Sequence, residues 1–415
     1  MRESQKVVPL PRCFVISKYQ NTMKKLFLLV SILSVTTMWA YSSNPSLRAY
    51  NKDDGGFVIL NEDNQIIGFS DEGKITDQLK SRLSFLGQDI EIISSPSDIN
   101  LVSVQFPAPV KDSVGPLLGE IKYNQGKPYN YMTPTIPQNS NNHCVTGCVA
   151  TAMAMVASYW QWPKTCLDGS ITYTPGNVGY PVTYTYTGHS FDWKNIKPAY
   201  TGILSDSGDN IETKAQQDAI ADLMVACGVG VRMGYGLGSS GSQSENVPDV
   251  FLKYFNYKNT MELVRLEDYN IVDKQTGINK LYTVLINEFD AGRPIYCSGY
   301  DNTKGENDAD AFHAYVIDGY VTLQGDNKLT MPFFHFNFGW GGGMNGWYMI
   351  TGTENRSIYT SLQMIINLEP NDGTGLMDVT KQIKDGKIRD IMGREVSETI
   401  PGQLYILDGK KYIAR

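Results

Sequence analysis

Histidine is scarce in this 415-residue chain, with four residues against 25 tyrosines and 39 glycines. Each imidazole can therefore be weighed singly as a base or a ligand. Positive charge is not in surplus either: 36 Lys and Arg face 43 Asp and Glu, a formal net charge of −7. That balance argues against nucleic acid as the main partner, since phosphate binding needs concentrated Lys and Arg. Long apolar runs are missing as well, and the one leader-like run, Leu26 to Val35, is too short for a comfortable membrane span. No second C-x-x-C or H-x-x-x-H accompanies Cys144 and Cys148, so a structural zinc is a weak reading and no metal or other cofactor is implied. What is present is ordinary for a protein with a real core: 41% hydrophobic and 19% charged residues.

The N-terminal stretch "MKKLFLLVSILSVTTMWAYSS" has a basic start at Lys24 and Lys25, the apolar run, and possible cleavage after Ala40 or Ser42. It reads as a signal peptide over 23–42, with 1–22 an over-extended start, and it predicts an exported protein without a membrane span in its mature form. Export leaves Cys144, Cys148, Cys166, Cys227 and Cys297, an odd number, so at least one thiol stays free. Cys227 and Cys297 lie in apolar runs and are expected to pack in the core.

Residues 43–110 read as a small α+β module. "GFVILNEDNQIIGFSDEG" predicts a hairpin, "ITDQLKSRLSFLG" an amphipathic helix and "LVSVQF" a strand. Pro107, Pro109 and Gly115 predict an exposed connector after it. The main unit, 111–370, opens with a helix from Val149 to Trp160. Helices over "KAQQDAIADLMVACG" and "NKLYTVLINEFDAG" follow, and then strands at "PIYCSGY", "HAYVIDGYV", "FFHFNFGW" and "GWYMI". Helices first and strands later predict an α+β fold rather than a doubly wound sheet. Residues 371–415 close the chain as a short β segment.

Cys148 follows a small turn, Thr146-Gly147, and precedes an alanine-rich helix. A cysteine there feels the positive end of the helix dipole and unpaired N–H groups, which favour thiolate over thiol. The competing reading is a buried cysteine in a core helix, and a disulfide between Cys144 and Cys148 is disfavoured if a helix begins at 148. His313 opens an apolar strand behind Asp308 and Asp310 and could aim an imidazole into a cleft. His335 alternates with phenylalanines and could equally be packed, while His143 and His189 lie in polar loops. Asn337 lies downstream. The order Cys, His, Asn with wide separations is what a papain-like site requires.

"YNQGKPYN" at 123–130, "TGCVATAMA" at 146–154, "FDWKN" at 191–195, "HAYVIDG" at 313–319 and "HFNFGWGG" at 335–342 resemble the streptopain family of papain-like cysteine peptidases. The resemblance implies a helical part and an antiparallel sheet part with the active-site cleft between them. It also implies that 43–110 is an inhibitory propeptide. Carried over by motif, Cys148 is the nucleophile, His313 the general base, Gln125 an oxyanion-hole donor and Asn337 the Asn that follows the catalytic His. The family often has Asn-Trp-Gly-Trp where this chain has Asn337-Phe338-Gly339-Trp340, so Phe338 keeps an aromatic wall without an indole N–H. Phe338, Trp340 and the loop residues Ser239, Ser240, Gly241 and Ser242 are expected to line the substrate cleft, and the resemblance suggests a bulky hydrophobic P2 residue.

The expected partners are protein or peptide substrates, the chain's own propeptide and secretion machinery. "DIMGREV" and "IPGQLYILDGKKYIAR" resemble a type IX secretion sorting segment, which implies a secreted or cell-surface location. Two other classes compete: an inactive binding module on the same fold, and a transglutaminase-like thiol acyl-transferase. The four matching site residues count against the first, and Asn337 with Gln125 favours hydrolysis over the second.

Overall fold

The computed structural model describes residues 47–51, 55–61, 66–70, 72–76, 90–93, 108–201, 212–265, 274–300, 312–324, 330–350, 360–371, 388–390, 404–407 and 410–413. The leader, most of the helix expected over 75–87, the strand expected at 101–106, and Asp308 and Asp310 lie outside these residues.

The N-terminal part forms β1 (Leu47–Asn51), β2 (Phe57–Leu60), β3 (Ile66–Ser70) and β4 (Ile90–Ile93), followed by β5 (Ala108–Val114). Two hairpins, β6 (Thr135–Ile136) with β7 (Asn139–His143) and β8 (Ser170–Tyr173) with β9 (Val182–Thr185), flank helix α1 (Cys148–Trp160). Then come α2 (Lys214–Gly230), α3 (Val247–Lys253), β10 (Glu262–Arg265), α4 (Lys274–Asp290), β11 (Ile295–Tyr300), β12 (Phe312–Gln324), β13 (Thr330–Asn337), β14 (Gly346–Tyr348) and β15 (Thr360–Ile366). The hairpin expected at 56–73 is present as β2 and β3. The hairpins β6–β7 and β8–β9, and the strands β10 and β15, were not legible in the sequence.

One sheet gathers eleven strands in the order β10-β15-β11-β12-β13-β14-β3-β2-β1-β4, with β5 paired to β12 off that path. Its ladders are antiparallel except for β1 with β4. Strand β12 is the axis. One of its edges pairs with β13, and the other is shared by β11, at Phe312–Ile317, and β5, at Tyr320–Gln324. Alternation along the strands divides two cores. Tyr296, Ala314 and Val316 pack with α1 and α2, while Ile295, Cys297, Tyr315 and Ile317 pack with α4 and the N-terminal strands. Burial on both faces explains why these strands read as nearly continuous apolar runs.

Helix α1 is buried all around, from Val149 through Ser158. Alanine has the best helix propensity and the smallest bulk that still packs, so "CVATAMAM" both favours the helix and lets it approach the sheet closely. Helix α2 begins with a reciprocal capping box between Thr213 and Gln216.

The N-terminal strands join the sheet directly. Trp347 and Tyr348 of β14 pair with Phe69 and Gly68 of β3, and Phe57, Ile59, Leu47 and Ala49 enter the same core as Phe334, Phe336 and Tyr348. Burying a side chain such as Phe57 or Ile59 contributes about 1.5–3 kcal/mol. The exposed connector expected around Pro109 and Gly115 is instead strand β5, and the expected boundary between 110 and 111 falls inside it. Gly115 ends that strand at φ 92°, and a Cβ there would sit 2.5 Å from the Asp318 carbonyl oxygen. Strand β12 extends beyond β11, and β5 pairs the part that β11 does not reach.

The C-terminal strands β16 (Ile388–Asp390), β17 (Leu404–Leu407) and β18 (Lys410–Ile413) form a three-stranded antiparallel sheet in a unit separate from Leu33–Asn371.

His189 links the β9 hairpin region to α2. Its Nε2 lies 2.8 Å from Asp222 Oδ2, while Asp222 Oδ1 accepts from the Tyr184 hydroxyl at 2.8 Å. The hydrogen bond to Asp222 raises the His189 pKa against the opposing effect of burial. A raised folded-state pKa gives stability that is fully present below the unfolded value, about 6.5, and lost as pH rises through the folded value. His189→Gln should therefore lower stability most at pH 5–6, by about 1 kcal/mol for a partly exposed pair. Thermal melts of both proteins from pH 5 to 9 should converge toward the alkaline end; a constant gap would refute the linkage.

Candidate active site

Cys148 is the first residue of α1, behind Gly147 as N-cap. Gly147 has φ 86° and ψ 145°, close to a region that is essentially reserved for glycine. A Cβ there would lie 2.7 Å from Met233 Sδ and 2.8 Å from the Ser240 carbonyl oxygen. The turn is clamped from both sides. Thr146 N–H donates to the Gln125 carbonyl at 3.1 Å, and Val145 N–H to the Gly236 carbonyl at 3.0 Å. Thr151 Oγ1 donates back to the Gly147 carbonyl at 2.9 Å.

Burial pushes the Cys148 thiol pKa up, against the smaller lowering effect of the backbone N–H groups of Ala314, Val149 and Cys148 itself. The helix terminus therefore acts in the expected direction, but desolvation outweighs it, and a thiolate needs a proton acceptor at hand. The Ala314 amide beside the sulfur puts Cys148 against the residue that follows His313 on β12.

His313 is buried at the start of β12. Its Nε2 lies 2.9 Å from the Phe338 carbonyl oxygen. A carbonyl only accepts, so that nitrogen carries the proton and Nδ1 is the basic one. The Trp340 indole stacks on the imidazole at 4.5 Å between ring centroids, and Phe338 stacks in turn on Trp340 at 5.0 Å. Asn337 spends its side chain elsewhere: Nδ2 donates to the Ile121 carbonyl at 2.7 Å, and Oδ1 accepts from Gly339 N–H at 3.2 Å. Gly341 N–H donates to the Tyr123 carbonyl at 2.7 Å. The segment ending at Gln125 thus runs along the 337–341 loop. The Gln125 backbone is held by Thr146 and Asn124, and the residue is half-buried.

A cysteine at a helix start, an imidazole with a defined tautomer and a glutamine whose backbone is bonded to the cysteine's turn are an arrangement suited to acyl transfer. Residues 123–348 match the Peptidase C10 family. The chain belongs to that family. Streptopain of Streptococcus pyogenes is 29% identical to it over 327 residues, 74% of each chain. The thiol protease/hemagglutinin PrtT of Porphyromonas gingivalis is 26% identical over 352 residues, covering 78% of this chain and 37% of that protein. A solved fragment of Prevotella intermedia prointerpain A matches with a TM-score of 0.53 at 24% identity, covering 77% of this chain and 98% of the fragment. That last likeness speaks for the fold. The protein is a papain-like cysteine-type endopeptidase of the streptopain family.

Several expected C10 site residues do other work here. Phe338 is fully buried and does not line a cleft; Trp340, half-buried, covers the imidazole with its indole. Ser240 is buried, donating to the Val145 carbonyl at 2.7 Å and accepting from Gly236 N–H at 3.0 Å. Ser242 Oγ donates to the Val231 carbonyl at 2.5 Å. Of the four loop residues expected to touch substrate, Ser239 and Gly241 are exposed, and Gly241 is paired by backbone with Gly234. The Asn337 side chain bonds the Ile121 carbonyl and Gly339 N–H, and His313 Nε2 lies on the Phe338 carbonyl. A backbone acceptor carries no residue identity, so no motif could have announced it.

Among the described residues, the other histidines bond to groups outside the Cys148–His313 region. His335 Nδ1 bonds Asp318 Oδ1 at 2.6 Å, and His143 Nδ1 contacts the Thr133 carbonyl. The five cysteines among the described residues are free thiols, with Cys144 buried against Thr133 and Asn130.

Gly147→Ala should cost about 1–3 kcal/mol from backbone strain alone and, by displacing Cys148, about 100-fold in kcat/KM. Ser240→Ala should destabilise by about 1–3 kcal/mol by stranding buried groups. Denaturant melts and peptide hydrolysis measure both; normal activity in Gly147→Ala would show that activity does not depend on how the turn places Cys148.

Proposed function

We propose that the chain is the secreted zymogen of this endopeptidase, with Cys148 as nucleophile and His313 as general base. The observation that carries the assignment is the Cys148 sulfur at the start of α1, against the backbone beside His313, whose Nε2 is committed to Phe338. The thiol proton passes from Sγ to Nδ1 of His313, and the thiolate adds to the scissile carbonyl. The oxyanion is stabilised by the Cys148 backbone N–H and the Gln125 side-chain amide. Collapse breaks the C–N bond as His313 returns its proton to the leaving amine. Water, deprotonated by His313, then cleaves the thioester and frees the thiol. Protein or peptide chains are the substrates, with a bulky hydrophobic P2 side chain.

The N-terminal segment serves as intramolecular inhibitor. Its support is physical contact with the Trp340 loop and with the segments beside it. Ser70 Oγ donates to the Asn345 carbonyl at 2.6 Å, Met349 N–H donates to the Ile67 carbonyl at 3.0 Å, and Glu72 pairs with Lys122. Because β5 is part of the sheet, the maturation cut falls before that strand or follows its release. The leader over 23–42 and the C-terminal strands, a β unit of their own, support export through a signal peptide and a type IX-like sorting segment to the surface or medium.

Processed protein should cleave casein, and prior alkylation should abolish the cleavage. Incorporation of an amine into casein instead would favour acyl transfer. Purified Cys148→Ala should remain at full length where the wild type shortens. If that variant still loses its N-terminal segment in pure form, self-processing is wrong.

A further inference from the structure

We infer that Asn345 is a positioning residue of the active site, acting on His313 through the backbone of Phe338. This rests on the assignment of His313 as the base. The carbonyl that accepts from His313 belongs to the peptide plane between Phe338 and Gly339. The opposite end of that plane, Gly339 N–H, donates to Asn337 Oδ1 at 3.2 Å. The preceding plane ends in Phe338 N–H, which donates to Asn345 Oδ1 at 3.2 Å in a buried bond. Two asparagine side chains thus hold the two planes flanking one residue, and between them they set φ and ψ of Phe338. Those angles determine where its carbonyl points.

Each asparagine stands at one end of the turn: Asn337 is the last residue of β13, and Asn345 immediately precedes β14. Asn345 is 9% exposed and lies away from solvent competition. Phe338 is fully buried, so its N–H has no water to replace a lost acceptor. Without Asn345 the plane would turn to find another partner, and the next plane would move with it. The imidazole would then lose the acceptor that keeps the proton on Nε2 and Nδ1 basic. The Asn345 backbone also accepts from Ser70 Oγ of the N-terminal segment, so the same residue touches the propeptide with its carbonyl and the catalytic loop with its side chain. The processed enzyme is the form to test, because Ser70 could steady the loop in the longer chain.

The full chain carrying Asn345→Ala, Asn345→Leu, Asn345→Asp or His313→Ala is expressed, its N-terminal segment removed with an added protease where needed, and peptide hydrolysis compared. Asn345→Ala should lower kcat/KM about 100-fold, in the range expected for impaired general acid–base help, mostly through kcat. Alkylation of Cys148 as a function of pH is the second readout. Its apparent pKa should lie above that of the wild type, a shift that a merely structural role would not produce in a folded variant. Asn345→Asp keeps an acceptor oxygen and should recover most of the activity. Asn345→Leu fills the space without an acceptor and should behave like Asn345→Ala. Wild-type kinetics and pH profile in both folded apolar variants would overturn the inference, as would equal losses in Asn345→Asp and Asn345→Ala. Failure of both apolar variants to fold would assign Asn345 to structure alone and overturn it too. His313→Ala separates the premise: if it retains activity, the base is misassigned, whereas an inactive His313→Ala beside an unaffected Asn345→Ala defeats only the positioning role.

Discussion

Helix α1 enters the core with Cys148 as its first residue and lies against strand β12, which carries His313. That junction sets most of what surrounds it. The helix is buried on every side, so its alanines cannot be exchanged for bulk without moving Cys148. The turn before it needs a glycine backbone angle and leaves no room for a side chain. Val145 and Thr146 are tied to segments on either side, so the backbone that carries the sulfur is held by hydrogen bonds.

Burial at this junction has two opposed consequences for the chemistry. It fixes the Cys148 thiol in one geometry and at the same time removes the water that would stabilise a thiolate. The helix terminus offsets part of that cost, but the direction of the Cys148 pKa shift shows that desolvation is larger. Proton transfer to a neighbouring base thereby becomes the natural source of thiolate. The 337–345 loop serves that need: a backbone carbonyl fixes the imidazole tautomer and an indole covers its face. Asn337, which by motif stands where an orienting side chain is expected, is one bond removed, acting on the peptide plane and on the Ile121 carbonyl.

The N-terminal strands are part of the same architecture. They extend the central sheet at β14 and complete the core on the face opposite α1. Without them a strand edge and apolar side chains such as Tyr348 would lose their present cover, so these strands contribute to the stability of this edge.

The α+β class, the helix at Cys148, the hairpin of the N-terminal module and the Cys–His order were all legible in the linear chain. Each is written in local signals, namely periodicity, turn residues and motifs whose neighbours are fixed by side-chain chemistry. The roles of Ser240, Ser242, Phe338 and Asn337 were not, because burial and hydrogen-bond partners depend on which distant segments meet. The strand at 108–114 escapes a local reading for the same reason: Pro107, Pro109 and Gly115 signal a connector, while pairing with β12 places the segment in the sheet. The sequence by itself determined which residues could do the chemistry and roughly where the elements lie. Only the tertiary structure decided which atom orients the imidazole, since the acceptor is a main-chain carbonyl and every residue has one.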